Sequence, residues 1–248
     1  MGNSAAKEFF LRPVCRVWRV RFFHPAISRH LESPFETKPS VEIYMILGLT
    51  GSLGSGKSTV AEIIRELTGA FIIDADEITR RLQAPGGVAH KKIAEAFGAA
   101  VLLTDGNLDR KKLADIAFGD EHQLRKLNAI VHPLVLQEQK TLLEEHRNDS
   151  LILLMVPLLY ETGMEIMTDK VLVVTVNENV REERLARRSG MNAHEVSRRL
   201  KAQMDQAEKA RRADFVVDNS GAIEKTRNQV EAVLKELRIP AKGNPSIS

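Results

Sequence analysis

The sequence predicts an α/β fold in which a parallel sheet is covered by helices. From Met45 onward, short apolar runs alternate with amphipathic stretches, which is the pattern of strands joined by crossover helices. The first apolar run leads directly into a glycine-rich turn and then into a helical pattern. At 248 residues, the chain is long enough to bury a substantial core within one large domain.

Five apolar runs have the length of buried strands. Strands are expected at Ile46–Thr50, Phe71–Asp74, Leu151–Val156, Val171–Val176 and Phe215–Val217. Between these runs, apolar residues recur with the period of an amphipathic helix. Helices are expected at Lys57–Leu67, from near Glu77, and at Val88–Phe97, Arg110–Phe118, His122–Arg147, Glu178–Arg188, Ala193–Gln206 and Ile223–Leu237.

The second and third strands are separated by about 75 residues that contain helical periods but no convincing strand. A crossover of that length is more than one helix. We therefore expect a helical insertion at about residues 76–147, over the edge of the sheet, where a second substrate would bind. The element order predicts one domain over residues 45–240 and a frayed tail at residues 241–248.

Charge and hydropathy exclude two classes of partner. Residues 1–44 contain seven Lys/Arg and four Asp/Glu, so the remaining residues contain 29 of each sign. A domain with no net charge lacks the broad basic surface of a nucleic-acid-binding protein. No apolar run approaches the roughly 20 residues that span a bilayer, so we expect no membrane partner. Oligomeric state has no signature in the sequence.

Residues 1–44 differ from the rest of the chain in composition and pattern. They contain the only Cys, the only Trp and five of the nine Phe, and prolines interrupt every regular pattern. Three interpretations stay open: a disordered arm or incorrectly assigned start upstream of Met45, an organelle-targeting segment rich in arginine, and a myristoyl anchor at Gly2. The first is preferred. The single cysteine forms no internal disulfide and fits a reducing, cytoplasmic location.

The glycine-rich turn contains a complete phosphate-binding motif. Residues Gly51–Ser58, the phosphate loop, match G-x-x-x-x-G-K-[ST]. Glycines let the backbone curl around a phosphate chain, while the amides and the following helix N-terminus direct positive partial charge at the anion. Lys57 is expected to reach the β- and γ-phosphates, and the Ser58 hydroxyl to ligate Mg²⁺. The residues predicted to bind the nucleotide here are Gly51, Ser52, Leu53, Gly54, Ser55, Gly56, Lys57, Ser58 and Thr59.

Two carboxylates follow the second strand. Asp74 and Asp76 are two residues apart, so in an extended segment they would point to the same side, beyond the carboxyl end of the sheet where ligands bind. One carboxylate could accept the proton of an attacking hydroxyl, a role we assign to Asp76. The other could hold metal-bound water, a role assigned to Asp74. The alternative is that one or both only cap the next helix.

The third strand leads into Pro157 where motor and switch NTPases have a metal-binding Asp. The metal is therefore expected to depend on Ser58, the phosphates and water. After the fourth strand, Arg181, Arg184 and Arg188 share one helical face. They could form a solvated face paired with acidic residues. The interpretation preferred here is a small helical lid, at about residues 178–206, whose planar cations cover the transferred phosphoryl group. Arg184 and Arg188 are the best candidates.

Seven segments in a fixed order resemble the dephospho-CoA kinase family. They run from Met45 to the final helix and read GLTGSLGSGKSTV, IIDADEITRRL, LNAIVHPLV, VPLLYETG, REERLARR, RRLKAQM and AEKARRADFVVDNSG. The resemblance implies a three-layer P-loop NTPase core with a five-stranded parallel sheet, a helical substrate domain and a small lid. It implies transfer of the ATP γ-phosphate to the ribose 3′-hydroxyl of 3′-dephospho-CoA, with Mg²⁺.

The resemblance also implies roles for individual residues. Asp76 corresponds to the family's base, Arg184 or Arg188 to its lid arginine, and the segment of Asp218 and Asn219 lies near the adenine of ATP in relatives. Two alternatives stay open. A different metabolite kinase would share the chemistry but have another acceptor pocket, and an ATP-binding scaffold would need neither Asp76 nor the paired arginines.

Overall fold

The computed structural model describes residues 44–187, 196, 200 and 203–242. Its centre is a sheet of five parallel strands in the order β2-β3-β1-β4-β5. The strands are β1 (Met45–Gly51), β2 (Phe71–Asp74), β3 (Leu151–Met155), β4 (Lys170–Thr175) and β5 (Phe215–Asp218). The predicted five-stranded parallel sheet is therefore confirmed, with strand bounds shifted by no more than one residue.

The chain adopts this arrangement because the central strands are apolar on both faces. All five residues of β3 are buried. Leu151 and Leu153 pack into one cluster with Ile64 and Val230, whereas Ile152 and Leu154 pack into a second cluster on the opposite face. Strands covered on both faces are typical of parallel sheets with crossover helices. The result is the three-layer arrangement predicted.

The helices have the following bounds in chain order: α1 (Lys57–Thr68), α2 (Ala75–Leu82), α3 (Val88–Phe97), α4 (Arg110–Gly119), α5 (Glu121–Glu145), α6 (Glu178–Arg187), α7 (Gln206–Arg212) and α8 (Ile223–Glu236). Short 3₁₀ turns cover Ala99–Val101 and Met164–Met167. Helices α1 and α8 cover one face of the sheet, and α2 and α5 pack on the other. Within the described residues, no helix is long and apolar enough to cross a bilayer.

Helices α2 to α5 form the insertion between β2 and β3 that the sequence predicts. The insertion has an apolar cluster of its own, formed by Ala89, Ile93, Val101, Leu108, Leu113 and Val131. Asp109 and Asp120 begin α4 and α5, and each accepts a hydrogen bond from a backbone amide of the first turn. The insertion is therefore a packed helical layer, and its first helix follows directly from the carboxyl end of β2.

The structure corrects one predicted helix. Of the range Ala193–Gln206, residues 193–195, 197–199 and 201–202 lie outside the described residues, and Val196 and Leu200 are helical. Residues 203–205 are not helical, and α7 begins separately at Gln206. The reason is Asp205, whose side chain accepts hydrogen bonds from the amides of Ala207 and Glu208 and so starts a new helix. The domain limits, including the extension and the lid, stay predictions.

Candidate active site

The phosphate loop connects the buried end of β1 to the exposed start of α1. Two of its glycines have no space for a side chain. A Cβ at Gly51 would lie 2.4 Å from the carbonyl oxygen of Val174, and a Cβ at Gly56 would lie 2.1 Å from Nδ2 of Asn219. Gly56 also has φ of 86°, in the left-handed region that favours glycine. The curl of the loop therefore depends on these two positions.

Lys57 lies across the inside of this loop. Its Nζ donates hydrogen bonds to the carbonyl oxygens of Gly51 at 2.9 Å and Ser52 at 3.2 Å. Ser58 and Thr59 follow in the first turn of α1, and both are exposed. The first turn of a helix presents unpaired backbone amides and a positive partial charge. The predicted phosphate-binding residues are thus brought together around one helix N-terminus.

Asn219, the residue after β5, contacts the phosphate loop through its side chain. Its Nδ2 donates to the carbonyl oxygen of Ser55 at 2.8 Å, and its Oδ1 accepts from Oγ1 of Thr226 at 3.0 Å. Asn219 is buried, with only 3% of its surface exposed. Its side-chain amide is therefore engaged with protein groups at the loop. Its predicted contact with the nucleotide stays a prediction.

Arg184 on α6 connects the predicted lid helix to the same place. Its Nη2 donates to the carbonyl oxygen of Asn219 at 2.8 Å. Its Nη1 is buried and has no hydrogen-bond partner within the part of the chain that the structure describes. That nitrogen lies 3.5 Å from the position of a Cβ on Gly56. A buried cationic nitrogen without an acceptor is costly, so the geometry fits an anion bound at the loop.

The other arginines of the predicted lid differ from one another. Arg181 is 15% exposed and pairs with Glu178 at 2.6 Å. Arg187 is exposed and pairs with Glu183 on the same helix. Arg188 lies outside the described residues. The structure thus brings Arg184 to the phosphate loop, whereas Arg187 belongs to a solvated face.

The structure corrects the predicted conformation of Asp74 and Asp76. The chain is already helical from Ala75, so the extended segment expected from Asp74 to Asp76 is wrong. The cause is Asp74, whose Oδ1 accepts from the amides of Asp76 at 2.8 Å and Glu77 at 3.4 Å and so begins α2. Asp76 is exposed in the first turn of that helix.

Asp74 and Ser58 line one cavity of about 290 Å³ between α1 and β2. In the sheet, Asp74 and Leu49 both pair with Met155, so Asp74 lies two strands away from β1 and level with Leu49, two residues before β1 ends. A hydroxyl and a carboxylate are oxygen donors of the kind that Mg²⁺ prefers, so the two residues fit that ion. Among the described residues, no group of three or more His, Cys, Asp or Glu is arranged to hold a metal.

A lysine that the sequence patterns do not predict lies buried beyond the end of β3. Lys209 on α7 has no exposed surface, and its Nζ donates to the carbonyl oxygen of Pro157 at 2.8 Å and pairs with Glu161 at 2.9 Å. Burial lowers the pKa of Lys209, and the hydrogen bond that its ammonium donates to the Glu161 carboxylate opposes that shift. Oγ1 of Thr50 donates to the same Pro157 carbonyl oxygen. No sequence signal separates Lys209 from the exposed cations beside it.

Known proteins of one family are similar to most of this chain. The family model described as dephospho-CoA kinase matches residues 45–225. The chain is 47% identical over 189 residues to a dephospho-CoA kinase from Symbiobacterium thermophilum, covering 75% of this chain and 79% of that protein. It is 44% identical to the one from Geobacillus kaustophilus, covering 77% and 96%.

Two solved structures resemble the fold at appreciable identity. A Thermus thermophilus protein has a TM-score of 0.66 and 36% identity, covering 78% of this chain and 97% of its own. A dephospho-CoA kinase from Campylobacter jejuni has a TM-score of 0.55 and 27% identity, covering 77% and 96%. Each of these similarities covers more than three quarters of the chain.

Proposed function

Because the chain belongs to the dephospho-CoA kinase family, we propose that its site transfers the γ-phosphate of ATP to the ribose 3′-hydroxyl of 3′-dephospho-CoA. The products are coenzyme A and ADP, as in the final step of coenzyme A biosynthesis. One observation carries the proposal: Nη1 of Arg184 is buried beside Gly56 of the phosphate loop and has no hydrogen-bond partner among the described residues. A phosphoryl group transferred at the loop would need compensation of its negative charge, which Arg184 would supply.

The phosphate loop and Lys57 would bind the triphosphate. The Lys57 ammonium now bonds to two loop carbonyl oxygens, both acceptors inside the curl of the loop. Phosphate oxygens are stronger acceptors for an ammonium, since the bond is then charge-assisted on both sides. Lys57 would therefore exchange its carbonyl partners for phosphate oxygens when the nucleotide binds.

Asp76 would act on the acceptor hydroxyl. As the oxygen–phosphorus bond forms and the bond to the β-phosphate oxygen breaks, the hydroxyl proton would pass to the Asp76 carboxylate. Helix α2 fixes the backbone from which this carboxylate extends, because Asp74 caps the first turn of the helix. Phosphoryl transfer depends mainly on alignment and charge stabilisation, so a rigidly placed carboxylate is sufficient.

Ser58 and Asp74 would hold Mg²⁺, with Asp74 acting through water. When bound, the ion would supply positive charge that neutralises part of the negative charge of the phosphates. A cytoplasmic location and the absence of nucleic-acid or membrane partners stay predictions from composition. The acceptor would bind beside α2 and α5, at the border between the helical insertion and the sheet.

A coupled assay of ADP release tests the proposal. The purified protein is given MgATP and either 3′-dephospho-CoA, shikimate, gluconate or adenosine, and the product is identified by mass spectrometry. We expect turnover with 3′-dephospho-CoA and mass addition of one phosphate at the 3′-oxygen. Lys57→Ala should lower kcat/KM by about a hundred-fold or more, since it removes a cation from the transferred group. Preference for a different acceptor would contradict the proposed substrate.

A further inference from the structure

Gln203 connects the phosphate loop to a segment that is distant in sequence. Its Oε1 accepts a hydrogen bond at 3.0 Å from the backbone amide of Leu53, across 150 residues of chain. We propose that Gln203 is a positioning residue for nucleotide binding, which sets the Leu53 peptide of the phosphate loop. This inference rests on the proposed function, because it assigns the loop to a nucleotide triphosphate.

The Leu53 peptide lies between two supports. On one side, Gln203 binds its amide. On the other, α6 packs against the next residue: a Cβ at Gly54 would lie 3.1 Å from Cγ of Arg181 and 3.2 Å from Cγ of Leu185. The Leu53 N–H is used by Gln203, so this contact would order the loop rather than supply a phosphate donor. A loop that binds phosphate through its other backbone amides works best when its backbone is already ordered, because no free energy is then spent on ordering it. Gln203 is the side chain that orients this peptide.

Gln203 itself is held in place by its neighbours along the chain. The amide of Met204 donates to Oε1 of Glu161 at 2.6 Å. The Gln206 side chain accepts from the amide of Val176 at 3.1 Å and donates to the carbonyl oxygen of Val176 at 2.9 Å. The segment 203–206 is therefore bound at the ends of β3 and β4 while Gln203 reaches the loop after β1. These hydrogen bonds restrain the segment that carries Gln203.

The charge of the side chain that accepts the hydrogen bond from Leu53 also matters. A neutral amide oxygen and an ionised carboxylate can both accept from the Leu53 amide. A carboxylate would add a negative charge beside a loop that binds a triphosphate, and like charges repel. Glutamine therefore provides the acceptor without the charge, which distinguishes a role in nucleotide binding from a role in stability alone.

The test compares two substitutions at Gln203 with two controls. Gln203→Ala removes the acceptor, whereas Gln203→Glu keeps it and adds charge. Gln206→Ala removes hydrogen bonds at β4 without touching the phosphate loop. Asn228→Asp makes the same amide-to-acid change at an exposed position of α8. For each protein, the Kd of a fluorescent MgATP analogue is measured without acceptor, together with KM for both substrates, kcat and the thermal melting temperature.

We expect Gln203→Ala to raise the nucleotide Kd and KM for ATP about ten-fold, with KM for the acceptor within about two-fold. Gln203→Glu should fold like the parent protein and raise the same constants, by an amount that shrinks with added salt. Gln206→Ala should lower the melting temperature and raise the nucleotide Kd by less than Gln203→Ala, because it loosens the segment but leaves the Gln203–Leu53 hydrogen bond in place. Asn228→Asp should change neither.

A nucleotide Kd within about two-fold of the parent value in both Gln203 variants would overturn the inference. So would a loss of activity explained entirely by a smaller folded fraction. The binding measurement uses no acceptor, so it separates the two claims. If the parent protein binds MgATP but does not phosphorylate 3′-dephospho-CoA, the proposed substrate fails while the comparison at Gln203 still decides its own question.

Discussion

The side-chain amide of Asn219 occupies the space that a side chain at Gly56 would need. Nδ2 of Asn219 bonds the carbonyl oxygen of Ser55, and the same nitrogen would be 2.1 Å from a Cβ on Gly56. The last strand of the sheet thereby supports the peptide from which α1 begins. A glycine in the loop and an asparagine 163 positions later in the printed sequence are therefore parts of one contact.

Asn219→Ala should destabilise the fold and weaken nucleotide binding together. The change leaves the Ser55 carbonyl oxygen and Oγ1 of Thr226 without their partner in a buried place. We expect a loss of about 2 kcal/mol in the free energy of unfolding, measured by urea denaturation. The Kd of MgATP should rise, because the loop loses its support. Asn128→Ala on α5 serves as the control, and unchanged stability in Asn219→Ala would contradict the bracing role.

Arg184→Ala should reduce phosphoryl transfer far more than Arg187→Ala. The two arginines lie on the same helix, but only Arg184 reaches the phosphate loop, whereas Arg187 is exposed. We expect kcat/KM to fall about a hundred-fold for Arg184→Ala and to stay near the parent value for Arg187→Ala. Steady-state kinetics with varied ATP measures both.

Arg184→Lys sharpens this comparison. A lysine keeps the charge but lacks the planar fork that could bind the Asn219 carbonyl oxygen and a phosphate oxygen at once. We therefore expect little recovery of activity relative to Arg184→Ala. Full activity in the lysine variant would show that charge alone is needed at this position.

Asp76→Asn and Asp74→Ala should have different effects. Asp76→Asn removes the proposed proton acceptor, so kcat should fall by about a hundred-fold or more with the Kd of MgATP nearly unchanged. Asp74→Ala removes the cap of α2, which should cost about 1 kcal/mol of stability and raise the Mg²⁺ concentration needed for half-maximal rate. Kinetics at several Mg²⁺ concentrations and chemical denaturation separate the two. Equal kcat in Asp76→Asn and the parent would contradict the proposed base.

Tyr160→Phe should be tolerated at neutral pH and should change stability in alkali. Burial raises the pKa of Tyr160 to about 12, although the nearby Arg212 guanidinium opposes the shift. Its hydroxyl is buried and has no hydrogen-bond partner among the described residues, so its removal leaves no group unpaired.

The sign of the pH effect follows from the raised pKa of Tyr160. The unfolded chain loses the phenol proton near pH 10, whereas the folded protein keeps it to about pH 12. The unfolded state is therefore favoured progressively as the pH rises between these values. The contribution of the protonated Tyr160 to the free energy of unfolding is fully present below about pH 10 and is lost as the pH approaches 12. The free energy of unfolding, obtained from denaturation curves at several pH values in this range, should fall more steeply with pH for the parent than for Tyr160→Phe. Identical slopes would contradict the raised pKa.

Lys209→Met should be strongly destabilising alone and less so when Glu161 is also neutralised. The single change leaves the Glu161 carboxylate, whose side chain is 18% exposed, without its partner. Loss of one member of a buried pair costs about 3 kcal/mol or more. Lys209→Met with Glu161→Gln removes both charges and keeps an oxygen acceptor for the Met204 amide. Thermal melting of both variants measures the difference, and equal melting temperatures would contradict a buried ion pair.

Local patterns in the sequence predicted the strands, the helical insertion and the phosphate loop, because each of these features depends on residues that are close together in the sequence. The D-x-D segment shows where local reasoning was incomplete. Alternation favoured an extended pair of carboxylates, but Asp74 caps α2 and starts the helix one residue later. Helix capping and continued strand alternation are alternatives at this position. The hydrogen bonds that Asp74 accepts from the amides of Asp76 and Glu77 favour the helix.

The sequence by itself determined the class of fold, the phosphate-binding loop and the family, because glycine spacing, apolar period and motif order are properties of neighbouring residues. The tertiary structure alone decided that Asn219 supports Ser55, that Gln203 holds Leu53 and that Lys209 is buried beneath Pro157. These contacts join residues 164, 150 and 52 positions apart. Their partners become neighbours only when parallel strands place their carboxyl ends at one edge of the sheet, and no local pattern contains that information.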